Sequence, residues 1–162
     1  MIRNATIADS QVIADIYNGY IRDTSITFEE TLVDAQIIGS RISKVVDQLN
    51  LPWIVYEDEG QIIGYAYASQ WKERSAYRYS VEVTVYLVPE QLGKGIGRKL
   101  YDELFLRLKQ LNIHCALAVI TLPNEASVRL HEKLGMKKVA VFPEVGLKFG
   151  KWHDVGYWHI IL

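Results

Sequence analysis

Apolar residues recur along this chain in changing rhythms, and each change marks an element. Ile2 to Ala5 has the length of a short strand. Behind it Val12, Ile13, Ile16, Tyr17 and Tyr20 repeat at helical spacing, with Asp9 or Ser10 offering a side-chain oxygen as the cap. A second helical stripe of Ile38, Ile42, Val45, Val46 and Leu49 begins near Asp34 and stops before Pro52. Trp53 to Glu57 and Ile62 to Ala68 then read as strands about the turn Asp58-Glu59-Gly60, where glycine tolerates the positive φ of a tight hairpin. Arg78 to Val88 alternates and is rich in β-branched and aromatic residues, so it predicts a long strand ended by Pro89.

From Gly95 the helical period returns: Ile96, Leu100, Tyr101, Leu104, Phe105, Leu108 and Leu111 share one face. Cys115 to Ile120 is a continuous apolar run, the pattern of a strand covered on both faces. After the break at Leu122-Pro123-Asn124, a short helix runs from about Asn124 to Leu134, and Gly135 supplies the left-handed residue that ends it. Val139 to Phe149 and Trp152 to Ile161 predict two closing strands. The order β-α-α-β-β-β-α-β-α-β-β joins antiparallel hairpins to one β-α-β crossover. That is an α+β chain with a mixed, mostly antiparallel central sheet of about seven strands and about four helices.

Composition narrows the picture. The 162 residues fit a single domain spanning 1–162, and 49% apolar with 23% charged residues suffices for a core. Lys and Arg (18) nearly balance Asp and Glu (19), which argues against broad nucleic-acid or membrane-surface binding and leaves only local anion sites. The one cysteine, Cys115, has no partner for an internal disulfide, and Met1 to Ser10 lacks a basic region followed by an apolar one, so a cytoplasmic enzyme is expected. His114, His153 and His159 show no metal-ligand spacing with one another or with Cys115, and no metal is expected.

The sharpest local feature lies between the long strand and the long helix: Gln91-Leu92-Gly93-Lys94-Gly95-Ile96-Gly97-Arg98. Glycines let main chain approach a ligand closely, and the unpaired N–H groups of a helix's first turn attract an anion such as phosphate. Lys94, Arg98 and Lys99 add positive charge where it opposes the helix dipole, which stability alone does not favour. The Walker A pattern fails because Gly95, not Ser or Thr, follows Lys94, and the dinucleotide pattern fails because the spacing is G-x-G-x-G.

Here the sequence resembles the GNAT N-acetyltransferase superfamily, whose acetyl-CoA loop has the form Arg/Gln-x-x-Gly-x-Gly/Ala; Leu92-Gly93-Lys94-Gly95-Ile96-Gly97 departs only at its first position. Asn124 is followed seven positions later by His131, where the superfamily carries tyrosine, and then by Leu134-Gly135-Met136. That histidine, with Trp71 to Arg78, Ala118 to Asn124, Ser127 to Glu132 and Lys148 to Trp158, resembles the phosphinothricin and methionine sulfoximine acetyltransferase branch over nearly the whole chain.

The resemblance implies a GNAT fold, acetyl-CoA as co-substrate, and direct transfer to the α-amino group of phosphinothricin-like or methionine sulfoximine- or sulfone-like amino acids, a resistance function. From its spacing Glu82 is either an outward-facing glutamate or a base for the amine; the resemblance assigns it the base. His131 is either a packing histidine or a group that protonates the departing thiolate or relays the amine proton. The resemblance further implies that the main chain of Tyr86, Leu87 and Val88 pairs with the pantetheine arm, that Lys94, Gly95, Ile96, Gly97, Arg98 and Lys99 hold the pyrophosphate, and that Asn124 bonds the arm. Arg74 and Arg78 suit an anionic acceptor; Glu73, Ser75 and the main chain of Val83, Thr84 and Val85 would meet substrate, with Phe28 an apolar wall. A homodimer is expected. Transfer to another small amine or a protein N-terminus, and a CoA-binding sensor without catalysis, stay open.

Overall fold

A computed structural model describes all 162 residues. The elements are β1 (Ile2–Asn4), α1 (Ser10–Asp23), α2 (Ala35–Ser43), β2 (Trp53–Asp58), β3 (Gln61–Gln70), β4 (Ser80–Leu87), α3 (Ile96–Gln110), β5 (Cys115–Leu122), α4 (Glu125–Lys133), β6 (Lys137–Lys148) and β7 (Lys151–Ile161). One seven-stranded sheet runs β1-β2-β3-β4-β5-β7-β6, and the α+β expectation holds. Every neighbouring pair is antiparallel except β4 and β5.

Local chemistry explains most boundaries. Glu59 (φ 47°) and Gly60 (φ 78°) both take left-handed backbone, which joins β2 and β3 through a two-residue turn. Asp34 caps α2 by accepting the Ile37 N–H at 2.8 Å, and Gly135 (φ 89°) ends α4. Two expectations are corrected. Asp9 precedes α1 but does not cap it, because its carboxylate accepts from the Thr6 N–H (2.7 Å) and from both Arg3 terminal nitrogens (2.8 and 2.9 Å). The long strand begins at Ser80 rather than Arg78, since the Arg78 N–H closes a turn onto the Ser75 carbonyl at 3.1 Å.

Leu100, Leu104 and Leu108 of α3 are fully buried, and α3 packs on β2, β3 and β4. Burial of each such side chain contributes about 1.5–3 kcal/mol. This fixes the start of α3 against the end of β4. The decisive irregularity lies next to it. β4 pairs with β5 only at Ser80, Val81 and Glu82, opposite Cys115, Ala116 and Leu117; beyond Glu82 the strands part, while β5 stays paired with β7 along its whole length. A wedge opens in the middle of the sheet, with one side of β4 unpaired.

Candidate active site

The wedge holds a cavity of about 420 Å³ lined by residues from almost every layer: Tyr17 of α1, Thr27 and Phe28 beyond it, Tyr67 of β3, Glu82 to Tyr86 of β4, Tyr101 of α3, Val119 to Thr121 of β5, Asn124, Ser127 and His131 at α4, and Tyr157 of β7. Glu82, His131, Asn124, Phe28, Val83, Thr84, Val85 and Tyr86 are thus brought to one space. Glu82 is its only carboxylate, and no cation lines it. Its side chain makes no hydrogen bond or ion pair with the protein, and burial raises its carboxyl above the ordinary range while the Lys72 ammonium opposes the rise. A half-buried carboxylate without a partner, facing a cavity, is suited to taking a proton.

The free edge of β4 follows from strand alternation. The Val88 N–H donates to the Ile63 carbonyl (3.0 Å) and its carbonyl accepts from Gln91 (3.0 Å), so both polar groups of Val88 are already used. In this register Tyr86 and Val88 turn their amides to β3, whereas Val83, Val85 and Leu87 turn theirs to the wedge. Of Tyr86, Leu87 and Val88, expected to present main chain to a ligand, only Leu87 has an amide that is not turned to β3, and Val85 shares that open edge. The Tyr20 hydroxyl already donates to the Leu87 carbonyl at 2.6 Å.

At the end of β4 the chain turns through Gly93 (φ 76°) and Gly95 (φ 80°) into α3. Main-chain N–H groups from Gly93 through Arg98 donate to no protein acceptor; the first bond of the helix is Lys99 N–H to Gly95 at 3.1 Å. A Cβ built at Gly93 or Gly95 meets no protein atom within 4 Å, so packing does not require these glycines. Positive φ and open space do. The loop is therefore a cradle of unspent donors, the chemistry that holds phosphate. Arg98 is partly diverted from it, since its guanidinium donates to the Lys133 carbonyl (3.0 Å) and pairs with Asp102. Lys94 and Lys99 form no ion pair, and the Lys99 ammonium stands over the Tyr56 ring, 6.0 Å from its centre.

Asn124 caps α4, its side-chain oxygen accepting the Ser127 N–H at 3.1 Å, which leaves its amide nitrogen free toward the cavity. His131 is buried, with Nδ1 2.7 Å from the Ser127 carbonyl and Nε2 3.0 Å from the Tyr101 hydroxyl. Burial lowers its proton affinity, and the Ser127 contact opposes that. Tyr101, Tyr67 and Tyr17 line the cavity without having been expected there. Tyr101 falls on the apolar stripe of its helix, so periodicity reads it as core.

The β3–β4 segment sits elsewhere. Glu73, Arg74, Ser75 and Arg78 are exposed and none lines the wedge cavity. Arg78 folds back on the Ser75 carbonyl (3.0 Å) and over the Tyr79 ring at 4.5 Å. Glu73 instead lines a second recess of about 420 Å³ with Arg41, Lys44, Ser69 and Lys72, which shares Tyr67 with the wedge. Arg41 is neutralised there by Glu29 at 2.8 Å. Phe28 lies against Gly146, where any Cβ would strike its ring, and Thr27 is held by the Tyr17 hydroxyl (2.7 Å) and the buried Lys148 ammonium (2.8 Å).

This chain is similar to known proteins over nearly its whole length. Phosphinothricin N-acetyltransferase of Streptomyces viridochromogenes is 40% identical over 97% of this chain and 85% of its own. The L-methionine sulfoximine/L-methionine sulfone acetyltransferase of Salmonella typhimurium is 36% identical over 99% of this chain and 94% of its own. The crystal structure of a phosphinothricin acetyltransferase from Sinorhizobium meliloti, in complex with acetyl-CoA, superposes with a TM-score of 0.96 at 36% identity and covers all of this chain and 88% of that one. Residues 2–156 match the acetyltransferase (GNAT) domain, and this chain belongs to the GNAT acetyltransferase family.

Proposed function

We propose that this chain moves the acetyl group of acetyl-CoA directly onto the α-amino group of a small amino acid of the phosphinothricin or methionine sulfoximine class. The observation that carries this reading is the unpaired edge of β4, which starts at Glu82 in the wedge cavity and ends at the glycine cradle beyond the strand. The cradle amides and Lys94 hold the diphosphate, Val85 and Leu87 meet the pantetheine arm as a strand would, and the free amide of Asn124 steadies it from the other wall.

An amino-acid ammonium cannot attack a thioester until it loses a proton, and Glu82 removes it. The Val85 N–H, on the open edge, stabilises the oxyanion formed by attack. The chemistry is direct because the Cys115 thiol is buried, rests 3.3 Å from the Ser80 hydroxyl, and does not line the cavity. Lys44 and Lys72 in the recess beyond Tyr67 supply charge for the acceptor's carboxylate. Acetylation removes the ammonium by which an amino-acid mimic is recognised, which is how the reaction confers resistance.

No helix is long and apolar enough to cross a membrane, and no group of three or more His, Cys, Asp or Glu is placed to hold a metal ion. A cytoplasmic location suits a chain whose one cysteine is a free thiol. A homodimer would cover the apolar outer edge of β6. The test is thiol release from acetyl-CoA across a panel of amino acids, polyamines and peptide N-termini. Turnover is expected with phosphinothricin or methionine sulfoximine, and thiol release only with polyamines or peptides would overturn the acceptor class.

A further inference from the structure

We propose that Lys148 is a positioning residue for the choice of acceptor: its buried ammonium pins the Thr27 carbonyl, and the pin seats the Phe28 ring on Gly146 as the wall that limits the acceptor's side chain. The inference rests on the acetyl-transfer reading above and deepens it. It starts from the segment between α1 and α2, residues 24–34, which brings Ile26, Thr27 and Phe28 to the wedge cavity without a helix or strand of its own. Most of its anchors lie in α1 and α2. The Asn18 side chain holds Val33 twice, donating to its carbonyl (2.7 Å) and accepting from its N–H (2.9 Å). The Thr24 hydroxyl donates to the Tyr20 carbonyl (2.7 Å), the Tyr17 hydroxyl meets Thr27 Oγ1 (2.7 Å), and Glu29 pairs with Arg41 (2.8 Å). Only one hydrogen bond ties the segment to the sheet, from Lys148 Nζ to the Thr27 carbonyl at 2.8 Å.

Stability does not explain that contact. Lys148 is 1% exposed, forms no ion pair, and uses one of its three N–H groups on Thr27. Burial lowers its proton affinity, and the charges of Glu30 and Glu29 oppose the drop. The Phe149 ring, its centre 5.1 Å from Nζ, gives the ammonium a second attractive neighbour. A methionine would fill the same space with no ammonium to desolvate, so packing alone does not call for lysine. What only an N–H donor supplies here is a fixed place for one carbonyl. That carbonyl lies in the peptide plane it shares with the Phe28 nitrogen, so holding it holds the direction in which Phe28 leaves the chain.

The seat for Phe28 is on the same strand face as the pin. Gly146 and Lys148 are buried and alternate with exposed Val145 and Leu147, so both look toward the segment. A Cβ at Gly146 would strike the Phe28 ring, which therefore lies directly on the strand's main chain. A bulge sets this register: between Phe142, opposite Val155, and Gly146, opposite His153, three residues of β6 face Asp154 alone. Asp154 holds the bulge by accepting the Glu144 N–H at 2.9 Å, where Glu144 takes left-handed backbone (φ 48°). Val145, within the bulge, lines the wedge cavity together with Phe28. Phe28 and Val145 thus border one space, from a segment and a strand clasped at Gly146 and Lys148. No residue of the glycine cradle lines that cavity, so a shift of Phe28 changes the room for the acceptor and leaves the diphosphate site as it is.

The first test needs no turnover. The chain has four phenylalanines, so protein labelled with fluorophenylalanine gives four ¹⁹F lines, and Phe28→Leu identifies the one that belongs to Phe28. Lys148→Met is expected to move or broaden that line while Tm stays close to wild type; an unmoved line in the folded variant would overturn the pin. The second test is kinetic. Lys148→Met should raise the acceptor KM about tenfold with the acetyl-CoA KM unchanged, and should lower the preference for methionine sulfoximine over the bulkier tryptophan at least about tenfold. Lys148→Gln, one bond too short to reach Thr27, is expected to give the same split and serves if the methionine variant does not fold. Gly146→Ala, which displaces the ring and leaves Lys148 intact, should do likewise. In a Phe28→Ala background Lys148→Met should add little, because it acts through that ring. An equal effect of Lys148→Met with and without the Phe28 ring, or an acetyl-CoA KM that rises as far as the acceptor's, would reduce Lys148 to a structural part and end the proposal. Absence of turnover with every amino acid tried would instead remove the function proposed above while leaving the ¹⁹F result to stand.

Discussion

Glu82 shows how much one side chain's surroundings decide. Ionised, it stands half-buried and unpartnered, so the folded protein holds its proton more tightly than the unfolded chain does. Two consequences follow with definite sign. As pH falls through this raised pKa the base is lost, so the acid limb of kcat/KM should lie above the ordinary carboxylate value of about 4.3. Because the folded state binds more protons than the unfolded one across that window, this group's contribution to stability falls as pH rises through it. Glu82→Gln should therefore cut kcat about 10²- to 10⁴-fold and leave Tm at pH 7 equal to or above wild type. Equal kcat in a steady-state assay would remove Glu82 as the base. Spacing alone left Glu82 undecided between an outward position and a catalytic one, because alternation tells which face a residue takes and not whether a neighbouring strand is missing. Tyr101 was less legible still, since a tyrosine on an apolar helical stripe has the same periodicity whether its hydroxyl is idle or bonded to a histidine.

Among the elements, the strand-loop-helix unit from β4 to α3 was readable in the sequence, since glycine spacing and helical stripe both point to it. What stayed hidden was the parting of β4 from β5. No residue near Glu82 announces it, because it arises from β5 pairing with β7 along eight positions while meeting β4 along three. Asp9 was misread for a related reason: a carboxylate before a helix is a cap only when no better donor is near, and Arg3 is. The glycine cradle yields a sharp test. Since a Cβ at position 95 meets nothing in the protein, Gly95→Val loses only the left-handed backbone preference, about 1–2 kcal/mol. The fold should survive with a modest drop in Tm, while acetyl-CoA affinity falls at least about tenfold as the side chain enters the donor cradle. Calorimetric titration showing unchanged affinity would take the diphosphate away from this loop.

At the scale of the whole molecule the sheet ends in an edge with uncovered apolar side chains. β6 has β7 on one side and no strand on the other, yet Val139, Phe142 and Leu147 on it, and Phe149 and Trp152 at the hairpin tip, are half or more exposed. Lys137, Lys138, Pro143 and two register breaks blunt strand pairing along this edge, but its apolar side chains stay uncovered. A second copy placed over it would cover them. Val145, 57% exposed, lies on the same stretch and also lines the wedge cavity, so a copy that covered β6 would also close one wall of that cavity. Leu147 and Trp152 face each other across the hairpin, and Leu147→Lys/Trp152→Glu replaces an apolar pair by an opposite-charge pair that the isolated hairpin tolerates. Light scattering should give a dimer for the wild-type chain and a monomer for this variant. The monomer should keep its acetyl-CoA affinity, because the glycine cradle at the end of β4 stands three strands from β6, and lose affinity for the acceptor. A wild-type monomer, or a variant that stays dimeric, would place the interface elsewhere. A monomer with unchanged acceptor KM would show that each chain builds its acceptor site alone.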